Sequence, residues 1–437
     1  MRKDKFYLSG IISVLFVSFA GGACVQQTSS LAGLPPTEKV KSAANAIAAS
    51  PADAKIEAAN KLIQKKPDDA NGYNRLALAY LAKVRETGDH SLNRNAEAAL
   101  KKSFEIDPQN YDAMILDMQR LNSEHLFEKG LERAKQAAKL RPTDSTPYAG
   151  LTDALIELGR YPQAVETAQK MVDMRPNAPA YARIAHLRYL HGEIAGAFEA
   201  KKLALQMADP GDSENLAWYQ TEFGNLLFNT GNYDEAENAY NVALKTFPDY
   251  HLALVGKGHS LAAKGDFENA VKFYTAAQTR VPTPETIIAL GNVYTKLGNR
   301  EKAQEQYDLV EFVEQKLGSN SDQGRLALFW ADHDIKLDEA LTIAQREHSL
   351  RKDIYTADTL AWCLYKKGNF AEAKKAINEA LRLKTKDAQI FYHAGMIEKG
   401  LGNKKGAADY LQKALKTNPA FDLLQSEAAK SALREVS

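Results

Sequence analysis

The sequence contains few of the residues and motifs that support enzyme chemistry. Its 437 residues include only two cysteines, so a disulfide framework is excluded. HExxH, paired CxxC and GxSxG motifs do not occur, and Gly256-Lys257-Gly258-His259 lacks the spacing of a phosphate-binding loop. His333, between Asp332 and Asp334, fits a solvated turn better than a metal site. The sequence therefore predicts a protein that is not an enzyme and holds no metal or cofactor.

Neither sign of charge is in large excess. Lysine and arginine number 56, aspartate and glutamate 55, and the net charge is +1. A nucleic-acid-binding protein would show a clear basic excess, so we expect no nucleic-acid partner. Locally, 12 basic residues face 5 acidic ones between Tyr365 and Lys416. This excess could meet an acidic partner or anionic lipid, or it could only solvate a convex surface.

One long apolar run stands near the start of the chain. Basic residues Arg2, Lys3 and Lys5 precede the run Phe6–Ala20, and small residues follow as far as Ala23. This order is typical of a secretory signal peptide. The run is shorter than the roughly 20 residues of a membrane-spanning helix. The sequence thus predicts export to the periplasm or cell envelope, with an uncleaved membrane anchor as the alternative.

Cys24 follows this leader directly. The preceding Gly22-Ala23 resembles the signal of a bacterial lipoprotein, although Gly21 stands where a leucine-like residue is usual. We therefore expect lipidation of Cys24 and a membrane tether; ordinary cleavage nearby, which leaves an incidental cysteine, is the alternative. The polar stretch Val25–Lys39 suits a tether. The other cysteine, Cys363, is expected to pack in a helical core.

A motif of about 34 residues fills most of the remaining chain. Its clearest copies, Gly224–Pro248 and Gly258–Pro282, share the spacing G-x6-G-x-[YF]-x2-A-x3-Y-x2-A-x4-P. A repeat of this length predicts helix pairs stacked into a solenoid. One alanine position recurs at this spacing, with longer steps at insertions: Ala164, Ala197, Ala236, Ala270, Ala303, Ala340, Ala373 and Ala407.

Each motif residue has a physical role in a helix pair. A glycine inside the first helix lets the second helix approach closely. A second glycine supplies the left-handed residue that ends the first helix, and an aromatic residue two positions later fills the gap between helices. A proline stops the second helix because it lacks a donor and clashes with the preceding turn. The turn glycines are Gly159, Gly231, Gly265, Gly298, Gly368 and Gly402, and the closing prolines are Pro142, Pro176, Pro248, Pro282 and Pro419.

The motif resembles the tetratricopeptide repeat family over most of the chain. This resemblance implies an all-α fold: an α-solenoid of about ten stacked helix-turn-helix repeats that forms a superhelix with a concave groove. The segment Thr356–Phe421 is also similar to exported bacterial proteins of this family. Leu326–Lys352 keeps Ala340 but lacks the turn glycine and the proline, and a threonine, Thr385, replaces the proline of the next repeat. We expect one elongated array.

Insertions at Asp209–Asn215 and Gly318–Gln323 divide the array. The run Ala54–Lys66 and the tail Asp422–Glu435 are predicted to cap its two ends. The predicted segments are a signal peptide (1–23), a flexible linker (24–50), three repeat blocks (51–208, 214–316 and 322–419) and a C-terminal capping helix (420–437).

The family resemblance also implies the groove residues. It places the residue after the small position of each first helix in the concave groove. In the middle of the chain this row is Asn225, His259 and Asn292. Asparagine can donate to a carbonyl and accept from an N–H, so it suits an extended peptide backbone; alternatively these side chains solvate an unused face or link neighbouring helices. The other members of the row are Asp153, His186, Phe329, Trp362 and Met396.

A second candidate patch contains Trp362, Tyr365, Tyr392, His393 and Met396. Aromatic and methionine side chains offer a large contact area at modest entropy cost, which suits a binding hot spot. The alternative is an aromatic core between repeats.

Together these features predict a non-enzymatic scaffold or adaptor of the bacterial cell envelope, which binds a partner protein or extended peptide in its groove. One alternative is a periplasmic component of a polysaccharide export or outer-membrane assembly machine, with Trp362 and Tyr365 stacked on sugar rings. Another is a subunit that supports an enzyme complex.

Overall fold

The computed structural model describes residues 51–316 and 323–437, and every structural statement below concerns these two ranges. The predicted signal peptide, the linker and Cys24 lie outside the described residues, as does most of the insertion Gly318–Gln323.

The described residues form 22 α-helices and no β-strand. Ten consecutive pairs, α2–α3 to α20–α21, are named repeats 1 to 10, and α1 and α22 flank them. The helices are α1 (Pro51–Lys65), α2 (Ala70–Thr87), α3 (Asn93–Ile106), α4 (Tyr111–Ser123), α5 (Phe127–Leu140), α6 (Thr146–Glu157), α7 (Tyr161–Met174), α8 (Ala178–Leu190), α9 (Ile194–Met207), α10 (Ser213–Asn229), α11 (Tyr233–Thr246), α12 (His251–Ala263), α13 (Phe267–Arg280), α14 (Pro284–Lys296), α15 (Arg300–Lys316), α16 (Gly324–Asp332), α17 (Leu337–Leu350), α18 (Ile354–Lys366), α19 (Phe370–Ala380), α20 (Ala388–Gly400), α21 (Lys404–Thr417) and α22 (Gln425–Val436). The predicted all-α solenoid of about ten repeats is confirmed.

The turns and helix ends follow the motif. All six predicted turn glycines have positive φ, as the left-handed conformation requires. Each predicted proline stands two residues after the last residue of a second helix. The degenerate repeat 8 still forms a helix pair, because Asp334 adopts φ 56° in place of glycine. Aspartate tolerates this region better than most residues do.

Glycines in the first helices make room for tyrosine rings of the second helices. A Cβ built on Gly224 would lie 2.6 Å from the Tyr240 ring. A Cβ on Gly256, in the next first helix, would also collide with this ring. The ring is therefore held between two glycines, and Tyr240 is only 1% exposed. The predicted close approach is confirmed, and the group that approaches is an aromatic ring.

First helices of successive repeats pack against one another more closely than second helices do. The array consequently curves, with the first helices on the inner, concave side. Small residues at the inner positions shorten this spacing.

The expectation of one elongated array is wrong, because the superhelix coils tightly enough to touch itself. The Tyr161 hydroxyl accepts a hydrogen bond from the backbone N–H of Ile354, 193 residues further on, at 2.9 Å. Tyr233, in repeat 5, accepts one from the N–H of Ala420 at 3.0 Å. The inter-helix turns of repeats 3 and 5 thus contact the loops that follow repeats 8 and 10. The motif describes only contacts between neighbouring repeats. These contacts between distant repeats depend on the rotation that accumulates over more than five repeats.

Repeat 4 makes the same contact through the threonine that replaces the closing proline of repeat 9. The Thr385 hydroxyl donates to the carbonyl oxygen of Leu190, and Thr385 is 1% exposed. Nearby, a Cβ on Gly192 would lie 2.5 Å from the Lys384 carbonyl oxygen. Repeat 1 likewise lies against the end of repeat 6, since a Cβ built on Gly88 would be 2.7 Å from the Val281 side chain.

Both predicted terminal helices are present. Helix α1 packs against α2, and α22 packs mainly against α21. Helix α22 begins at Gln425, three residues after the start of the predicted run Asp422–Glu435. The Asp422 carboxylate accepts from the backbone N–H groups of Leu424 at 2.8 Å and Gln425 at 2.7 Å. Among the described helices, none has the length and apolar character to cross a bilayer.

Candidate functional site

The row Asn225, His259 and Asn292 lies on the first helices of repeats 5 to 7. Each side chain bonds to a tyrosine hydroxyl of the second helix in its own repeat. Tyr240 donates to Oδ1 of Asn225 at 2.8 Å, and Tyr307 donates to Oδ1 of Asn292 at 2.8 Å. In the middle repeat, the Tyr274 hydroxyl lies 2.7 Å from Nδ1 of His259. Because the tyrosine ring rests on the preceding glycine, its hydroxyl reaches the next residue of the first helix.

The row is therefore fixed by the repeat itself. Burial lowers the pKa of His259 to about 4, so its ring is neutral near pH 7 and can accept the tyrosine hydrogen. Linking helices is the alternative role that the sequence left open, and the structure shows such links within each repeat. Whether the row also contacts a partner remains a prediction.

Asn225 belongs to a longer polar chain. Its Nδ2 donates to Glu222 at 2.9 Å, and Lys201 donates to the other carboxylate oxygen at 2.9 Å. Burial alone would raise the pKa of Glu222, but the charge and hydrogen bond of Lys201 outweigh it and lower that pKa. These hydrogen bonds use one of the two N–H groups and one of the two oxygen lone pairs of the Asn225 amide.

The aromatic patch is mostly buried. Trp362, Tyr392 and His393 are 3%, 4% and 0% exposed. The Trp362 ring stacks between Tyr365, at 4.9 Å between centroids, and His393, at 4.2 Å. This arrangement corresponds to the aromatic core that the sequence left as the alternative. Tyr365 and Met396 are half-buried, and the indole presents no open face for a sugar ring.

His393, a member of this stack, also forms a buried polar pair with Asp358. Nδ1 of His393 is 3.0 Å from both carboxylate oxygens of Asp358. Its Nε2 is buried and has no hydrogen-bond partner among the described residues. Sequence analysis assigned His393 to the patch but missed Asp358; the signal was their separation of 35 residues, about one repeat, which places them on adjacent first helices.

Asp332 joins repeats 8 and 9 to the C-terminal helix. Its Oδ1 accepts from the Trp362 indole at 2.7 Å and from the Gln425 side chain at 2.5 Å. Burial raises the pKa of Asp332 to about 7, and the nearby Asp422 carboxylate adds to this rise. A positive charge on His393 would oppose it.

This raised pKa predicts a pH-dependent stability. Unfolded aspartate has a pKa of about 3.9, so the folded chain holds an extra proton between roughly pH 4 and 7. The contribution of Asp332 to the free energy of unfolding is therefore fully present below pH 4 and is lost as the pH rises to 7. Asp332→Asn, which keeps an acceptor oxygen, should therefore stabilise the protein at pH 8 relative to wild type and change little at pH 4.5. Urea unfolding at both pH values measures this difference; an equal effect at both would refute the assignment.

The remaining predicted positions differ in their surroundings. Asp153 pairs with Arg183 at 2.5 Å, and Phe329 is 3% exposed. His186 is exposed on the concave side. Cys363 is buried as predicted, and burial raises the pKa of its thiol to about 12. Within the two described ranges, no cluster of three or more His, Cys, Asp or Glu side chains could hold a metal.

The basic excess between Tyr365 and Lys416 is partly neutralised by acids from outside this segment. Three of its lysines form such ion pairs: Lys366 with Asp334, Lys367 with Asp338 and Lys399 with Glu435. A fourth, Lys374, pairs with Glu398 within the segment.

Two cavities were not predicted from the sequence. A cleft of about 1030 Å³ opens between α3, α4 and α5. The carboxylate of Asp117, at its wall, bridges Arg120 and Arg133, each at 2.8 Å, so these three charges compensate one another. A smaller cavity of about 70 Å³ lies in the concave groove beside His259 and Asn292.

The chain itself forms one wall of this smaller cavity. Residues Ala420–Leu423, between α21 and α22, enter the groove opposite His259, Tyr274 and Asn292. The predicted groove is thus partly occupied by the C-terminal segment of the same chain.

Comparisons with known proteins agree with the repeat assignment. Tetratricopeptide repeat models match residues 121–186, 221–283, 284–310 and 359–421. The chain is 25% identical over 209 residues to the RNA polymerase-associated protein CTR9 of Caenorhabditis elegans, a match that covers 43% of this chain and 17% of that protein. The chain therefore spans less than a fifth of the length of this curated relative.

Two solved structures are similar at low identity. The APC/C hetero-tetramer Cut9-Hcn1 is 18% identical, with a TM-score of 0.41, over 92% of this chain and 69% of the other. The human IFIT1 dimer with PPP-AAAA is 14% identical, with a TM-score of 0.46, over 80% and 90% of the two chains.

The sequence motif, the ten helix pairs and the family matches agree. Arrays of this kind are scaffolds for protein–protein interaction. The chain belongs to the tetratricopeptide repeat family.

Proposed function

We propose that this protein is a non-enzymatic adaptor of the bacterial cell envelope that holds a partner protein or extended peptide on its concave face. The observation that carries the proposal is the row Asn225, His259 and Asn292, at equivalent positions on three consecutive first helices. Tyrosine hydroxyls fix all three side chains, so a partner that reaches them would meet polar groups that are already ordered. Such preorganisation lowers the entropy cost of binding. Asn292 is 6% exposed and lies beside the C-terminal segment in this structure.

The envelope location rests on the sequence. The basic and apolar leader supports export, and Cys24 supports a lipid tether to a membrane. Both features lie outside the described residues.

A pair of matched double variants tests the groove. Asn225→Ala/Asn292→Ala removes two amides from the row, and Tyr240→Phe/Tyr307→Phe removes the hydrogen bonds between tyrosine and amide but keeps the amides. The tagged full-length variants are purified from lightly cross-linked envelopes of the host, and co-purifying proteins are identified by mass spectrometry.

We expect a stoichiometric partner that the alanine pair loses and the phenylalanine pair retains. If both double variants retained the partner equally, the row would not be part of the binding surface. Equal loss, with unchanged helicity, would mean that only the tyrosine links matter. Absence of any protein partner from wild-type envelopes would contradict the adaptor function itself.

A further inference from the structure

The groove cavity has a mainly apolar wall on the side of the repeats. Its wall on the repeat side contains apolar or aromatic surface from repeats 5 to 7 and two polar side chains: Phe228, Ala262, Ala263, Tyr274, Ala289, His259 and Asn292. His259 and Asn292 already belong to the row described above.

The chain supplies such a segment. Leu423 packs against the cluster that contains Leu261, Ala262 and Tyr274 in repeat 6. On the opposite side, the Phe421 ring lies 5.6 Å from the Tyr392 ring of repeat 10. Between these two hydrophobic side chains stands Asp422, whose carboxylate accepts from the N–H groups of Leu424 and Gln425.

The segment is anchored at its start through polar contacts. The Asn418 side chain donates to the Phe228 carbonyl oxygen at 2.9 Å, and Tyr233 donates to Asn418 at 2.5 Å. The Ala420 N–H donates to the Tyr233 hydroxyl at 3.0 Å. Repeat 5 therefore receives backbone and amide groups of an extended chain beside the pocket.

The fit of the segment is incomplete. All four residues Ala420–Leu423 are only half-buried. A cavity of about 70 Å³ remains between the segment and the repeats. A half-buried segment leaves part of its apolar surface in contact with water, so a partner segment that buries more apolar surface in this pocket would compete with it.

From these contacts we propose that the pocket of repeats 5 to 7 binds an extended peptide with two hydrophobic side chains, and that Ala420–Leu423 occupies it as an intramolecular competitor. The proposal rests on the proposed function, because it names the chemistry of the partner segment. It adds that the partner must displace the resident segment before it can bind.

The probe is a fluorescein-labelled peptide with the sequence of residues 418–424, Asn-Pro-Ala-Phe-Asp-Leu-Leu. Its binding to the purified full-length protein is measured by fluorescence anisotropy. In Phe421→Ser/Leu423→Ser the resident segment loses its two hydrophobic side chains. A matched control, Leu297→Ser/Leu401→Ser, removes two leucines that are exposed at other turns, 38% and 44%.

We expect the Phe421→Ser/Leu423→Ser variant to bind the peptide at least tenfold more tightly than wild type, and the control to bind it as wild type does. Adding Ala263→Glu, which fills the pocket from its wall, should abolish this gain. If the double variant loses helicity, the milder Leu423→Ala is used, and a smaller gain that is still sensitive to Ala263→Glu is expected.

A folded variant without any gain, or a gain that Ala263→Glu leaves unchanged, would overturn the proposal. Either result would leave the envelope purification untouched, because that experiment detects a partner at any part of the concave face. Conversely, an envelope preparation without a partner would not alter the peptide titration.

Discussion

Replacing Tyr161 with alanine is expected to lower the free energy of unfolding by about 3–5 kcal/mol, the usual cost of removing a buried aromatic side chain. The Tyr161 side chain is 3% exposed and lies where repeat 3 meets the loop after repeat 8. Its loss removes packing and also leaves the N–H of Ile354, a fully buried residue, without its acceptor. We therefore expect the superhelix to open, with a larger radius of gyration. Urea unfolding and small-angle X-ray scattering measure the two effects.

Two controls separate packing from the contact between superhelical turns. Tyr161→Phe keeps the ring but leaves the Ile354 N–H unpaired, which costs about 1–3 kcal/mol. Phe267→Ala changes the same motif position in repeat 6, where a Cβ on the neighbouring Gly265 would meet nothing within 4 Å. We expect Phe267→Ala to destabilise the fold without enlarging it. An unchanged radius for Tyr161→Ala would show that other contacts suffice to hold the turns together.

Replacing Tyr240 with alanine is expected to cost about 3–5 kcal/mol as well. The ring fills the space between Gly224 and Gly256, and neither glycine has a side chain that could fill the cavity left behind. The same change frees Asn225 from its tyrosine partner. The groove row should consequently lose order together with stability, which amide hydrogen exchange of α10 and α12 would detect as reduced protection.

Tyr240→Phe isolates the second effect. The ring stays between the glycines, and only one hydrogen bond of about 0.5–1.5 kcal/mol is lost. We expect near-normal exchange protection in α12 and a loss confined to the surroundings of Asn225 in α10. If Tyr240→Ala and Tyr240→Phe behaved alike, the hydroxyl and not the ring would be the main support of this repeat, contrary to the packing described above.

Much of the repeat interior was predictable because it depends on local geometry. Glycine at a left-handed turn and proline after a helix obey backbone constraints that act within a few residues. The spacing from Gly224 to Tyr240 recurs from Gly258 to Tyr274, so both tyrosines could be expected to meet their glycine. The degenerate repeat 8 departs from this spacing: its left-handed residue, Asp334, stands six residues before Ala340, whereas each turn glycine stands five residues before its alanine.

The candidate site was only partly predictable. The row Asn225, His259 and Asn292 could be placed on the first helices by register alone. That Trp362 would be buried could not be decided, because a groove position and an inter-repeat position have the same spacing in sequence. The occupation of the groove by Phe421 and Leu423 had no signal, since these residues look like an ordinary connection to a capping helix.

The sequence by itself determined the helix pairs, their order and their turns, because each repeat's pattern concerns contacts with itself and its neighbours. Only the tertiary structure decided the pitch of the superhelix, since small rotations at each repeat add up over more than 190 residues before Tyr161 meets Ile354. The pitch in turn decides whether the concave face is open or occupied. It brings the segment after repeat 10 against repeat 5, and thereby places the chain's own residues in the groove that a partner would use.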